Sequence, residues 1–267
     1  MKLRPVETGI TPAVTTIFSG FTVSDIIDAI VEKKVAAVCG WLDTVGVRPE
    51  QTLIVGSYLT GARLANRLVE RSSVTVVDIY PHLRHLLDRR VSFHTTLAGL
   101  EAAGWDLIVD TTGLGGVSPE EILRLNTPEA FLVEDPCSDG SDRTIRKTSR
   151  SSLILGLIPA PEKGALYTAG LGARTSGTMT LTMAVLFCSM RDTLQEEGVL
   201  YSTAAMEFYE RVLFHEKDPG RFRELLDRPA LAVSTLSGID CDGIIAGNLA
   251  LIRSQVEEWW CNPNESF

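Results

Sequence analysis

Two glycines, a tyrosine and an aspartate carry the clearest chemical signal in this chain. In TLIVGSYLTGARLANRL, an apolar run ends at Gly56, and Gly61 opens a helical pattern. A glycine at a strand end lets backbone approach a ligand closely. The helix start that follows presents N–H groups with no intrahelical partner. A second apolar run, Val74–Val77, ends in Asp78. A carboxylate at that place accepts the hydroxyl protons of a ribose. Gly56, Tyr58, Thr60, Gly61, Asp78 and Ile79 are therefore candidate nucleoside-binding residues.

The departure from the dinucleotide pattern is informative. In GxGxxG the middle glycine gives room for a pyrophosphate. Here that position is Tyr58. An acid suited to ribose without a pyrophosphate cradle favours a nucleoside lacking that bridge, and S-adenosylmethionine fits. Two readings of another kind stay open: a nicotinamide-dependent oxidoreductase, and a non-catalytic nucleoside-binding scaffold.

Further polar clusters follow later apolar runs. Thr112, Gly113 and Leu114 lie in DTTGLGG after Leu107–Asp110, and Glu134 and Asp135 follow Ala130–Val133. In an open parallel sheet, ligands sit beyond the carboxyl ends of the strands, so these segments are expected along one rim. AGLGARTSGT, residues 169–178, precedes another helical pattern. Its N–H groups suit an anionic arm and Arg174 suits its charge. Thr175, Ser176, Gly177 and Thr178 complete this candidate acceptor site. Glu207 and Tyr209 can supply an acid or a hydrogen-bonding network, although Thr203, Glu207 and Arg211 also share the spacing of a solvated ion pair. His82 and His85 follow Pro81 on a polar turn and are expected at the surface.

The elements that would position these residues alternate. Thr22 and Asp25 have capping-box spacing, and Ile27, Ile30, Val31, Val38 and Leu42 form one helical stripe that ends near Gly46 and Pro49. Strands are predicted at Thr52–Val55, Val74–Val77, Val91–His94, Leu107–Asp110 and Ala130–Val133, with helices at Gly61–Arg71 and Pro119–Leu125. Strands separated by short helices argue for an α/β fold: a Rossmann-like, mostly parallel sheet covered on both faces. An N-terminal helix and a helical C-terminal part complete it. Residues 1–20 read as an arm or short hairpin. Asp135–Arg150 reads as a long polar loop, and Leu153–Ile158 with Ala165–Thr168 as a hairpin around PAPEKG. The expected division is 1–48 for the arm and first helix, 49–172 for the nucleoside-binding domain, and 173–267 for a helical substrate and dimerisation region.

Composition limits the function. The chain has 267 residues and a formal net charge of −9. An acidic chain gains nothing from counterion release on a phosphate backbone, so no nucleic-acid partner is expected. No apolar run is long enough to span a bilayer, and the opening residues lack the apolar core of a secretion signal. Cys39, Cys137, Cys188, Cys241 and Cys261 show no CxxC spacing and read as reduced thiols of a cytoplasmic protein. No metal site is expected, because His82 and His85 lack an obvious third ligand.

Four strings together, VGSYLTG, VVDIYPHL, DLIVDTTGLGG and FLVEDPCSDGSD, resemble the HcgC family. Its members are methyltransferases that build the guanylylpyridinol cofactor of the iron-only mononuclear hydrogenase. The resemblance spans about residues 50–180. It implies a Rossmann-like homodimer and S-adenosylmethionine as methyl donor. It also implies a hydroxypyridinol acceptor that bears a carboxymethyl arm and is methylated on a ring carbon. On this chain, Thr178, Glu207 and Tyr209 become candidate catalytic residues, and Arg174, Thr175 and Ser176 candidate acceptor ligands.

Overall fold

The computed structural model describes residues 15–112, 117–125, 128–134, 139–155, 158–159, 178–179, 200–201, 215–230, 232–235, 240–243, 245–247, 249–250 and 253–254. Its elements in chain order begin with β1 (Thr15–Phe18), α1 (Val23–Val45), β2 (Gln51–Val55), α2 (Leu59–Leu68) and β3 (Ser73–Val77). A 3-10 turn at Pro81–Leu86, β4 (Ser92–His94), β5 (Leu107–Asp110), α3 (Pro119–Arg124) and β6 (Ala130–Glu134) follow. Then come α4 (Asp139–Thr148), β7 (Ser151–Leu155), β8 (Ile158–Pro159), β9 (Thr178–Met179) and β10 (Leu200–Tyr201). A further helix, α5 (Pro219–Leu226), and β11 (Ala232–Thr235) complete the named elements.

Six strands form one sheet in the order β4-β3-β2-β5-β6-β7. Every pairing in it is parallel. The order runs outward from β2 in one direction and from β5 in the other, so the two meet at a topological switch point. Alternation along the strands divides the core into two layers. Ile54, Val74, Val76, Leu107, Val109 and Leu132 face the layer of α1 and α2. Leu53, Val55, Ile108, Phe131 and Val133 face the other, with Ile122 of α3 and Ile145 of α4. Burial on both sheet faces is what parallel strands require.

The first helix follows its expected cap. The Thr22 side chain accepts the Asp25 N–H at 3.1 Å, and Asp25 Oδ2 accepts the Thr22 N–H at 2.8 Å. Gly46 ends the helix in the left-handed region, φ 72°.

Four expectations are corrected. Within the stretch expected to be a polar loop, Asp139–Thr148 is helix α4. The reason is topological: β6 and β7 run parallel, so their connection must cross over the sheet face, where Ile145 anchors it. The segment expected to start a hairpin, Leu153–Ile158, overlaps Ser151–Leu155, which is the sixth parallel strand. Ile158–Pro159 pairs instead with Thr178–Met179, and Ala165–Thr168 lie outside the described residues. Within the stretch read as an arm or short hairpin, β1 pairs antiparallel with the distant β11, and β10 pairs on β11's other side; residues 1–14 lie outside the described residues. Those last two strands fall where helix was expected.

Candidate functional site

The site is built where the strand order reverses, between β2 and β5. β2 ends at Val55 and the chain turns at Gly56, whose φ is +92°. A side chain at Gly56 would be strained by that φ and would meet the Thr111 and Thr112 backbone at about 3.1 Å. The Thr111 hydroxyl donates to the Gly56 carbonyl at 3.1 Å, tying the end of β5 to the turn after β2. Gly61, in the first turn of α2, lies against that same carbonyl; an added Cβ would sit 1.9 Å from its oxygen. The two glycines therefore serve different needs, one a backbone conformation and the other the close approach of a helix.

Asp78 follows the last residue of β3. Its Oδ2 accepts the Ser57 N–H at 2.7 Å and the Ser57 hydroxyl at 3.0 Å. Its Oδ1 accepts the Tyr80 N–H at 2.9 Å. The carboxylate thus stands beside the Gly56 turn, half-buried, with Ile79 next to it 72% exposed.

Asp110 ends β5 and is 1% exposed. Its Oδ1 accepts the Thr112 N–H at 3.0 Å and the Thr112 hydroxyl at 2.8 Å. Its Oδ2 accepts the Val117 N–H at 3.2 Å. A buried carboxylate is tolerated when donors surround it, and these donors stand at both ends of the glycine-rich segment.

The expected residues divide plainly. Gly56, Thr60, Gly61, Asp78, Ile79 and Thr112 are described and lie along the carboxyl ends of β2, β3 and β5. Thr60 is buried within α2's first turn. Tyr58 is the N-cap residue of α2 and packs, half-buried, against the α1 and α2 layer. No side chain caps this helix start. The backbone of Glu134 ends β6 on the same rim, and Thr178 begins β9 opposite Pro159. Gly113, Leu114, Asp135, Arg174, Thr175, Ser176, Glu207 and Tyr209 lie outside the described residues, as does the side chain of Glu134.

Sequence reasoning missed Ser57, Thr111 and the role of Asp110. The usable signal was the position of each beside a strand end. The histidines also differ from expectation. His85 is half-buried, with Nδ1 2.6 Å from the His82 carbonyl and its ring 5.1 Å from that of Phe222 on α5. His82 stands edge-on to Tyr80.

Among the described residues, no cluster of three His, Cys, Asp or Glu could hold a metal ion, and no helix is long and apolar enough to cross a membrane.

The parallel sheet order and the Gly56 turn at its switch point define a Rossmann-like α/β fold. The chain belongs to the HcgC family, described as "FeGP cofactor biosynthesis protein, methyltransferase HcgC", whose model matches residues 7–256. Among solved structures it is similar to HcgC from Methanococcus maripaludis, cocrystallised with SAH and pyridinol. The two are 27% identical over 91% of this chain and 94% of the other, with a TM-score of 0.67. A D-isomer specific 2-hydroxyacid dehydrogenase from Xanthobacter autotrophicus Py2 is 16% identical over 58% of this chain and 60% of its own, with a TM-score of 0.36.

Proposed function

We propose that this chain transfers a methyl group from S-adenosylmethionine to a ring carbon of a carboxymethyl hydroxypyridinol, in building the guanylylpyridinol cofactor. The observation that carries the reading is Asp78, held beside the Gly56 turn at the switch point with a half-buried carboxylate. Family membership and the likeness to a relative cocrystallised with SAH and pyridinol support it.

The residues present suit an adenosyl group. Asp78 would accept from the ribose, and exposed Ile79 offers an apolar surface to the base. Gly56, Tyr58, Thr60 and Gly61 would line the nucleoside beside Asp78. Thr112, Gly113 and Leu114 would line the nucleoside or methionine, while Glu134 and Asp135 would hold the methionine amino group or a water. When bound, S-adenosylmethionine supplies an electrophilic methyl on sulfur.

The acceptor needs orientation and control of its ring oxygens. Removing a pyridinol hydroxyl proton pushes charge onto the ring carbon between two oxygens, the position that attacks methyl. Thr178, Glu207 and Tyr209 are proposed to hold those oxygens and accept or relay the proton. Arg174, Thr175 and Ser176 are proposed to bind the carboxymethyl arm. Holding donor and acceptor in line lowers the barrier by prepaid orientation. We also propose a homodimer, on the family resemblance, and a cytoplasmic location, on the cysteine spacing.

Incubation with S-adenosylmethionine and a hydroxypyridinol, followed by mass spectrometry, tests the reading. A gain of one methyl group on the ring, with S-adenosylhomocysteine released, is expected. Binding of S-adenosylmethionine without turnover on any pyridinol would favour a scaffold. Binding of NAD but not of S-adenosylmethionine would favour an oxidoreductase.

A further inference from the structure

Asp78 is engaged more heavily than a ribose clamp requires. A carboxylate offers roughly four acceptor positions, about two on each oxygen. On Asp78 both positions of Oδ2 are taken by one residue, the N–H and the hydroxyl of Ser57. Ser57 is fully buried, so its own oxygen is out of a ligand's reach. One position of Oδ1 is taken by the Tyr80 N–H. That leaves a single acceptor position, on Oδ1. The vicinal hydroxyls of a ribose need two positions for a bidentate grip.

We infer that Ser57 is a positioning residue that sets ribose specificity: by filling Oδ2, it leaves Asp78 to read one ribose hydroxyl rather than both. The inference rests on the reading of Asp78 as the ribose acceptor and deepens it. The hydroxyl that meets Oδ1 gives a hydrogen bond to a charged acceptor, and the other gives none to this carboxylate. Ser57 also fixes the rotation of the carboxylate, since its two donors reach Oδ2 from one side chain and its own backbone.

The test is calorimetric titration of the full chain with S-adenosylhomocysteine and its 2′-deoxy and 3′-deoxy analogues. For the wild type, one analogue should lose about tenfold or more in affinity while the other stays within about threefold. Ser57→Ala vacates one Oδ2 position and frees the carboxylate to turn. The gap between the two analogues should then shrink to about threefold or less. A purely structural role would weaken all three ligands alike and keep the gap. Ser57→Gly removes the same hydroxyl, keeps the N–H and gives an independent readout. Equal, large losses for both analogues in the wild type would mean a bidentate grip and overturn the inference, as would an undiminished gap in both variants. If neither analogue loses affinity and Asp78→Ala binds S-adenosylhomocysteine as the wild type does, the ribose assignment itself fails. That result is distinct from a bidentate grip, in which Asp78→Ala still weakens binding.

Discussion

Gly61 lies so close to the carbonyl of Gly56 that a Cβ at Gly61 would stand 1.9 Å from the oxygen, and 2.6 Å from the Thr111 hydroxyl. The contact joins the first turn of α2 to the loop that opens the crevice. Backbone, not a flexible side chain tip, is the nearest obstacle. Gly61→Ala should therefore displace α2 from the Gly56 turn and destabilise the protein by about 3 kcal/mol, the upper part of the range for overpacking. It should also abolish S-adenosylhomocysteine binding. Urea unfolding and calorimetry check this; a change under about 0.5 kcal/mol, within the scatter of surface substitutions, would refute the packing argument.

Asp110 makes a second prediction. Asparagine keeps its shape but replaces one acceptor oxygen with a donor amide. Either the Thr112 donors or the Val117 N–H then faces a donor in a site that is 1% exposed. Asp110→Asn should cost about 2 kcal/mol, the penalty for an unsatisfied buried group. Cofactor affinity should fall with it, because the glycine-rich segment loses its tie. Wild-type affinity at wild-type stability would contradict the role given to this carboxylate.

The strand frame was legible because parallel strands buried on both faces leave short runs rich in β-branched residues, as in Val74–Val77 and Leu107–Asp110. Asp78 was legible as an acid at a strand end. Ser57 was not, because its hydrogen bonds reach a residue on another strand. Helix α4 escaped notice because its apolar anchor, Ile145, is single among polar residues, of which Asp139, Gly140, Ser141, Asp142, Thr144 and Thr148 have low helix propensity, and topology decides its fold. The pairing of β1 with β11 is a contact between opposite ends of the chain, which no local pattern encodes.

The cap of α1 gives a pH-dependent prediction. The Thr22 backbone N–H, and after it the Thr22 hydroxyl, hold the Asp25 carboxyl below its ordinary value of 3.8. A depressed carboxylate contributes stability that is present above the unfolded value and is lost as pH falls through the folded one. Thr22→Ala should cost about 1 kcal/mol at neutral pH, as cap removals do. Its cost should shrink as pH drops below 3.8. Unfolding curves for both proteins over that range check this; a pH-independent difference would contradict the coupling.

Cys241 is buried, and burial raises its thiol above the usual value, with Asp242 and Asp240 adding to the effect. The thiolate is the reactive form, so native Cys241 should alkylate about tenfold or more slowly than in the unfolded chain near pH 7.5. Peptide-resolved mass spectrometry after a timed iodoacetamide pulse measures it. Equal labelling of folded and unfolded protein would contradict the assignment.

A crystal structure grown with S-adenosylhomocysteine tests the central claim most directly. The distance to measure runs from the Asp78 carboxylate to the ribose. A hydroxyl within about 2.5–3.0 Å of Oδ1, with the nucleoside beside the Gly56 turn, is the predicted result. A nucleoside bound away from the ends of β2 and β3, with Asp78 facing only water, would contradict it.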